Sequence, residues 1–383
     1  MSKKRPNILI NNVVPLNNGD VALFLSLYNA LNNKGFQVKI ATYYYKQAIK
    51  LYPNLPFVKE LGDYKLFVKL PFLKPFLLPI LFLLSKSYRE SSIIIGTPGG
   101  YINSNYTIKN SLSVFKVAKY FRKKTYIYSQ SVGPLNTKDK KFLKKLILNS
   151  IDFIFVRDSY SKTVLEELNI PKNKYRLTKD AAFLLTSDLK PSEKTNKIAI
   201  SVRTWNFDNR NINNYKNLIT ELVKFAVTKN FEIEFLSTCQ GLKNYKNDAL
   251  IAQEIYDALP IKFQKKSKVL SNYFTFSEFQ NKLTDYDFVI GTRLHMCIIA
   301  LTNKIPAFNI SYEIKGKECF EYLGLSDYSI DYNENVENAL LKFENFILNQ
   351  ITISNKISKL IPKINQQCNK DVDFLIDLIK NYR

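Results

Sequence analysis

The sequence contains little histidine and cysteine, and each shortage excludes a class of function. Its 383 residues include a single histidine, His295, which excludes a His-rich metal site, an HExxH zincin and any mechanism that needs two imidazoles. The four cysteines are scattered without CxxC spacing, so neither a zinc ribbon nor a disulfide framework is predicted. We therefore expect no metal site, and we expect any imidazole chemistry to take place at His295.

The chain also lacks a long hydrophobic run. Its most apolar stretch, residues 75–85, is far shorter than the ~20 residues that a membrane-spanning helix requires. The N-terminus passes directly from a basic start into a short strand-like run, without the longer apolar region and cleavage site of a signal peptide. Together with the scattered cysteines, these features predict a cytoplasmic protein.

Positive charge is abundant, with 56 Lys and Arg against 33 Asp and Glu and a formal net charge of +23. Such an excess is compatible with nucleic acid, an anionic membrane face or anionic substrates as partners. No helix-turn-helix, RNP motif or zinc finger is visible and the lysines are spread along the chain, so we expect no nucleic-acid partner. The apolar segment 67–84, interspersed and flanked by lysines, indicates either a peripheral contact with the inner face of the membrane or a buried helix under the N-terminal sheet.

Strand-like and helix-like segments alternate along most of the chain, which predicts an α/β protein with parallel sheets. The polar stretch 187–197 carries a proline and separates two such series, so it is the predicted linker. We therefore expect two Rossmann-like, doubly wound domains facing a cleft, with ligands beyond the carboxyl ends of the strands. The predicted organisation is an N-terminal domain, a linker, a C-terminal domain and C-terminal helices, at residues 1–186, 187–197, 198–345 and 346–383.

The strongest candidate residues follow predicted strands of the second domain. Arg293 and His295 lie in Gly-Thr-Arg-Leu-His directly after one strand, and Arg203 closes another. Two arginines from separate strand ends could hold a small molecule with two anionic groups, and histidine, with a reference pKa of about 6.5, suits proton transfer near neutrality. The alternatives are a structural histidine that caps its own helix and an arginine paired with a nearby carboxylate.

Two glycine-containing segments, residues 17–20 and 97–100, are predicted loops between a strand and a helix. Gly19, Gly99 and Gly100 would let backbone N–H groups approach an anion at a helix N-terminus. Asp20 could serve the same site or simply cap the following helix, and the glycines could only make tight turns. Neither segment is a Walker A motif or a GxGxxG, so nucleotide binding is not indicated.

Further polar residues follow strands of the first domain. Gln130 and Arg157 are each predicted to lie just beyond a strand, at the same edge of the sheet. Asp158 or Ser159 is instead predicted to be a helix N-cap, because short polar side chains are favoured there. Arg157 is therefore the stronger candidate of its segment.

Taken in order, eight segments resemble the polysaccharide pyruvyl transferase family. They are NNGDVAL, GTPGG, QSVGP, VRDSYS, KDAAFLL, ISVR, GTRLHM and IPAFNISYEIKG, and they extend from about Asn11 to about Gly324. The R-x-H element, followed by an aliphatic-Pro strand and by Tyr312-x-x-Lys315, is the strongest piece. The motifs also place Asp180 among the candidate cleft residues.

The resemblance implies a GT-B-like pair of Rossmann domains, with the acceptor on the N-terminal side and the donor on the C-terminal side. It implies an enzyme that moves the enolpyruvyl unit of phosphoenolpyruvate, without a cofactor, onto two hydroxyls of a sugar as a cyclic ketal. The acceptor would be a surface polysaccharide or exopolysaccharide, or a lipid-linked oligosaccharide precursor. By this likeness Arg203, Arg293 and His295 are donor-site residues. Many members carry a histidine and an aspartate where this chain has Ser237-Thr-Cys-Gln240, which leaves acceptor specificity open.

The chemistry of the residues agrees with this implication, because phosphoenolpyruvate carries both a phosphate and a carboxylate that arginine forks can hold. Two other classes stay open at this point. A GT-B glycosyltransferase with a nucleotide-sugar donor would share the architecture. A non-enzymatic nucleic-acid or membrane-surface binder would account for the charge, but not for the polar groups at strand ends.

Overall fold

The computed structural model describes residues 5–61, 73–185, 187, 189, 192, 194–205 and 210–380. The chain divides into two compact units. Unit 1 comprises Met1–Pro15, Leu23–Leu184 and Gln366–Arg383, and unit 2 comprises Leu16–Ala22 and Leu185–Asn365. The predicted linker 187–197 and the apolar segment 67–84 lie partly outside the described residues.

Unit 1 contains a parallel sheet in the order β3-β2-β1-β4-β6-β7-β8, with β5 paired to β6. Its strands are β1 (Ile8–Asn11), β2 (Val38–Thr42), β3 (Phe57–Lys59), β4 (Ile93–Gly96), β5 (Gly99–Ile102), β6 (Lys124–Val132), β7 (Phe153–Val156) and β8 (Tyr175–Leu177). The central strands β1, β4 and β7 are buried along their whole length, because helices cover both faces of a parallel sheet. This explains their continuous apolar sequences, such as Ile-Leu-Ile and Phe-Ile-Phe-Val.

The helices of the N-terminal part of the chain connect these strands. They are α1 (Asn18–Asn33), α2 (Tyr45–Leu51), α3 (Lys74–Leu84), α4 (Lys86–Glu90), α5 (Ile108–Tyr120), α6 (Thr137–Ser150) and α7 (Ser159–Glu167). The predicted cap is confirmed for Asp158, whose side chain accepts a hydrogen bond from Ser161 N at 2.7 Å. Helix α1 begins in unit 2 and continues in unit 1.

Unit 2 contains a parallel sheet in the order β11-β10-β9-β12-β13-β14. Its strands are β9 (Lys197–Ser201), β10 (Glu232–Phe235), β11 (Ser267–Val269), β12 (Phe288–Gly291), β13 (Ala307–Ser311) and β14 (Ser329–Asp331). Numbered within the unit, this is the Rossmann order 3-2-1-4-5-6. The order reverses between β9 and β12, and ligands of open α/β sheets bind at such a point, beyond the carboxyl ends of the strands.

The helices of the C-terminal part of the chain complete the fold. They are α8 (Ile212–Thr228), α9 (Ala249–Asp257), α10 (Ile261–Gln264), α11 (Phe276–Leu283), α12 (Leu294–Thr302), α13 (Ile314–Tyr322), α14 (Val336–Leu348) and α15 (Gln350–Lys380). The last part of α15, from Gln366 onward, belongs to unit 1. No helix within the described ranges combines the length and the apolar character needed to cross a membrane.

Several element boundaries differ from the sequence predictions and move candidate residues. Helix α1 begins at Asn18, so Gly19 and Asp20 lie in its first turn and not in a loop. Gly99 and Gly100 open the short strand β5, and Gln130 lies inside β6, which is longer than predicted. Strand pairing explains the changes at Gly99, Gly100 and Gln130, since Gly99 pairs with Gln130.

Candidate active site

The two predicted arginines of unit 2 extend from neighbouring strands in matched register. Ser201 of β9 pairs with Gly291 of β12, and Arg203 and Arg293 each lie two residues further along the chain. Because β9 and β12 are parallel, the two residues reach the same edge of the sheet. This edge is the point where the strand order reverses, so the fold itself brings the two arginines together.

Two aromatic rings and a hydroxyl contact the guanidinium of Arg203. Its Cζ lies 4.9 Å from the ring centroid of Trp205 and 4.6 Å from that of Tyr312, and its Nη1 donates a hydrogen bond to the Tyr312 hydroxyl. Cation–π contacts of this kind orient a cation without neutralising its charge. Tyr312, which follows β13 and is buried, therefore lies against Arg203, and its contribution to binding stays a prediction.

The backbone of Arg203 is held by a pair of stacked tyrosines. Its N–H donates to the hydroxyl of Tyr215 at 3.2 Å, and its carbonyl accepts from the hydroxyl of Tyr332 at 3.1 Å. The two tyrosine rings stack at 4.0 Å, and the Tyr215 hydroxyl also hydrogen bonds with Thr292 at 2.7 Å. The segment that follows β9 is thereby tied to the segment that follows β12.

Arg293 forms a buried, two-pronged ion pair with Asp248. Its Nε and Nη2 donate to the two carboxylate oxygens, both at 2.7 Å. Burial opposes the charge of Arg293, but Asp248 outweighs this effect and raises the pKa of the guanidinium above its ordinary value. Of the alternatives that the sequence left open, Arg293 shows the pairing with a carboxylate: Asp248 occupies the edge formed by Nε and Nη2, and the hydrogen bonds to Asp248 do not use Nη1.

Asp248 was not found by sequence reasoning. Helix α9 begins at Ala249, so Asp248 ends the loop that follows β10. The same loop begins at Ser237, whose hydroxyl donates to Asp248 Oδ2 at 2.5 Å. The ion pair between Asp248 and Arg293 joins segments that are distant in the chain. The local signal for Asp248 in the sequence is limited to an aspartate directly before a helix.

The loop between β10 and α9 is anchored on both sides. The side chain of Gln240 accepts from Ser237 N at 2.6 Å and donates to the carbonyls of Leu270 and Asn272 at 2.8 and 2.9 Å. Burial raises the pKa of Cys239 in this loop to about 11, so its thiol is neutral at pH 7 and is no thiolate nucleophile. The loop therefore acts as a rigid support for Asp248.

A third cation, Lys246, belongs to the same loop. Partial burial of its side chain and the positive charges of Arg203 and Arg293 lower the pKa of this lysine below its ordinary value. Like charges lower a lysine pKa in this way when they are close in space. Lys246 therefore adds a cation to the loop whose Asp248 already pairs with Arg293.

His295 lies in the first turn of α12 and packs against Gly19 at the start of α1. A Cβ built on Gly19 would lie 2.9 Å from both Cβ and Nδ1 of His295, so the imidazole occupies the space that a side chain at residue 19 would need. Asn18 holds the start of α1 in this position, because its N–H donates to Thr238 O at 2.7 Å and its side-chain amide donates to Phe274 O at 2.9 Å. Two segments that are far apart in the sequence thus meet within unit 2.

The remaining candidates of unit 2 lie near these residues in the chain. Asp20 is in the first turn of α1, next to Gly19. Lys315 is in α13, and its ammonium forms an ion pair with Glu313 at 2.7 Å. Within the described ranges, no group of three or more His, Cys, Asp or Glu side chains has the arrangement of a metal site.

The other predicted residues belong to unit 1. Arg157 forms a buried ion pair with Asp180 at 2.6 Å, and its Nε donates to Ser131 Oγ at 2.8 Å. Gln130 is fully buried, and its Oε1 has no hydrogen-bond partner among the described residues. Gly99 and Gly100 lie beside it in β5. These residues line the carboxyl edge of the unit 1 sheet, and their contribution to binding stays a prediction.

In fold class, the molecule is an α/β protein of the GT-B type, with two parallel sheets flanked by helices. It is similar to a glycosyltransferase from Rickettsia africae ESF-5, with a TM-score of 0.65 and 14% identity over 99% of this chain and 100% of that one. It is also similar to Anabaena Alr3699/HepE, solved in complex with UDP and glucose, with a TM-score of 0.64 and 10% identity over 97% of this chain and 100% of that one. At these identities the similarity shows the fold alone.

The family follows from the sequence. The family model for polysaccharide pyruvyl transferase matches residues 17–314, and the chain belongs to this family. The chain is also 25% identical over 244 residues to the amylovoran biosynthesis protein AmsJ of Erwinia amylovora, a match that covers 59% of this chain and 58% of AmsJ. The resemblance recognised from the motifs is thus confirmed.

Proposed function

We propose that this protein transfers the enolpyruvyl group of phosphoenolpyruvate onto two hydroxyls of a sugar and releases phosphate. The acceptor belongs to a bacterial surface polysaccharide or exopolysaccharide, or to its lipid-linked precursor. Family membership and the name of the relative AmsJ, an amylovoran biosynthesis protein, support this acceptor class. We place the reaction in the cytoplasm, with peripheral contact at the inner face of the membrane.

The donor is bound by the cations at the carboxyl ends of β9 and β12. The guanidinium of Arg203 lies against two aromatic rings, which do not neutralise its charge. Arg293 binds the donor through Nη1, because Asp248 holds its other edge. The phosphate and the carboxylate of phosphoenolpyruvate are the two anionic groups that such a pair accommodates. Lys246 adds a positive charge that stabilises the departing phosphate.

His295 supplies the proton in this proposal. As an imidazolium it protonates the methylene carbon C3, and C2 becomes oxocarbenium-like. One sugar hydroxyl adds to C2, the C2–O bond to phosphate breaks, and a neighbouring hydroxyl closes the ketal. Of the two protons that the hydroxyls release, one restores the imidazolium and the other leaves on phosphate, so the step balances without an oxidant or a cofactor.

One observation carries the proposal: the matched register of Arg203 and Arg293, with His295 two residues further on in the first turn of α12. The test incubates the purified protein with a panel of glycan and lipid-linked acceptors and with either phosphoenolpyruvate or nucleotide-sugars. Phosphate release and an acceptor that gains a pyruvate ketal are expected, and Arg203→Gln should raise KM for phosphoenolpyruvate. Nucleotide release with sugar transfer, and no phosphate release, would instead establish a glycosyltransferase.

A further inference from the structure

Helix α3 of unit 1 presents one apolar face to solvent. Phe76, Ile80, Leu83 and Leu84 are 73, 53, 47 and 72% exposed, whereas Phe82 of the same helix is buried. Their spacing of about four residues places the exposed side chains on a common side of the helix. Soluble proteins rarely leave neighbouring large apolar side chains uncovered unless the surface binds something.

The end of α5 carries another exposed aromatic side chain. Tyr120 is 78% exposed, and its ring contacts that of Phe121 with centroids 5.1 Å apart. Phe121 in turn stacks on Phe82 of α3 at 5.2 Å. We call the four exposed residues of α3, Phe76, Ile80, Leu83 and Leu84, the α3 surface.

Cations lie beside the α3 surface. Arg89 donates to the carbonyl of Leu83 at 2.8 Å, and the ammonium of Lys123 donates to the carbonyl of Arg89 at 2.7 Å, so both are fixed at the end of α3. Lys86 has a side chain that is 76% exposed, and Arg122 is also exposed. The described part of α3 contains no acidic residue, and the neighbouring Glu90 lies 4.0 Å from both Lys39 and Lys86, so cations outnumber carboxylates beside the surface.

We propose that the α3 surface binds the face of an anionic phospholipid bilayer. Apolar side chains that enter the acyl boundary, next to cations that meet anionic headgroups, are the features by which amphipathic helices lie on membranes. With its 11 residues α3 is too short to cross the bilayer and would lie along it. A polyanion such as nucleic acid would match the cations but would leave the apolar side chains exposed. This proposal rests on the peripheral membrane contact stated under the proposed function and names the surface that makes it, but it does not depend on the donor, so vesicle binding and donor turnover can fail separately.

The test is co-sedimentation of the whole protein with vesicles of phosphatidylcholine, with and without phosphatidylglycerol. We expect binding only with phosphatidylglycerol and weaker binding at high salt. Phe76→Ser with Leu84→Ser, and separately Lys86→Glu with Arg122→Glu, should each lower the partition coefficient by at least about tenfold. Matched control pairs in unit 2 are Leu348→Ser with Ile351→Ser and Lys262→Glu with Lys265→Glu, which remove equal apolar character or charge from exposed positions and should bind like the wild type.

Three results would overturn the proposal. The first is a wild-type protein that does not sediment with phosphatidylglycerol vesicles. The second is equal binding of the α3 variants and the unit 2 controls, with circular dichroism showing that all are folded. The third is a wild-type dimer in analytical ultracentrifugation that Phe76→Ser with Leu84→Ser dissociates, because the surface would then be covered by a second copy of the chain.

Discussion

Asp248 gives Arg293 its orientation and shares its burial, so the two side chains have to be considered together. Removing one partner of a buried ion pair costs about 3–5 kcal/mol, because the other charge is left without compensation. Asp248→Asn should therefore lower the free energy of unfolding by about that amount in urea titrations. The same variant should raise KM for phosphoenolpyruvate more than it lowers kcat, since a misdirected Arg293 binds the donor less well.

The control for this prediction is Asp373→Asn, which removes an exposed carboxylate paired with Lys34. Exposed pairs contribute about 0–1 kcal/mol, so both stability and KM should stay near the wild-type values. An Asp248→Asn protein with unchanged KM would show that the ion pair serves the fold alone.

Gly19 leaves room for the imidazole of His295. Gly19→Ala would place a methyl group 2.9 Å from two atoms of that side chain, so the imidazole must move. Since a displacement of about 1 Å can cost up to ~100-fold in rate, we expect kcat to fall by roughly tenfold to 100-fold. Because one of these atoms is the His295 Cβ, which cannot swing away, overpacking should also cost about 1–3 kcal/mol, partly offset by the helix preference of alanine over glycine, and a thermal melt measures this loss. Full activity of the folded variant would contradict the proposed position of the acid.

The residues that follow strands could be predicted from the sequence, whereas their partners could not. Arg203, Arg293 and His295 stand directly after apolar strands, and this local pattern needs no knowledge of the fold. The ion pair to Asp248 and the contact of Gly19 with His295 join segments that are distant in the chain. Such contacts depend on strand order and loop path, which hydrophobic periodicity does not encode.

At the level of elements, the long buried strands and amphipathic helices were predicted, and several short strands were missed. Strands β3, β8 and β14 have three residues each, too few to show a period. Strand β6 extends to Val132 because β5 pairs with its end. No local pattern in the sequence predicts this pairing. The alternation of strands and helices was sufficient to predict the parallel α/β class, because parallel strands require crossover connections, which are usually helices.

Strand β10 contains a buried carboxylate whose ionisation stabilises the unit 2 sheet. Glu234 accepts from Tyr286 at 2.6 Å and pairs with Lys268 and Lys282 at 2.9 and 3.2 Å. Burial acts to raise its pKa, but these hydrogen bonds and charges outweigh burial and lower the pKa below the ordinary value. The carboxylate therefore contributes stability above the unfolded-state pKa, and this contribution is lost as the pH falls through the lower, folded-state pKa.

Glu234→Gln should accordingly destabilise the protein by about 1–3 kcal/mol at pH 7, because charged hydrogen-bond partners are lost. The difference from the wild type should shrink as the pH falls below about 4.5. Urea unfolding of both proteins between pH 7 and the acid limit of the native state measures this difference. A penalty that does not change with pH would mean that packing, and not the charge of Glu234, is responsible.

For the molecule as a whole, part of the net charge of +23 lies in two groups of cations. Arg203 and Arg293 lie at one edge of the unit 2 sheet, where Asp248 pairs with Arg293, and the cations beside the α3 surface form a second group in unit 1. The expectation that nucleic acid is no partner stays a prediction. Composition alone could not predict where these cations lie or what they bind, because the same lysine and arginine content suits any polyanion.

The central claim is that the protein joins phosphoenolpyruvate to a sugar through protonation of C3 by His295. The most direct measurement is the reaction of phosphoenolpyruvate with the acceptor in D₂O, with phosphate release and the ketal methyl group followed by NMR and mass spectrometry. The account predicts one phosphate per ketal, a methyl group that gains one deuterium from solvent, and a turnover that falls by ~10²–10⁴-fold in folded His295→Gln. A methyl group without deuterium, or an unchanged rate in His295→Gln, would contradict it.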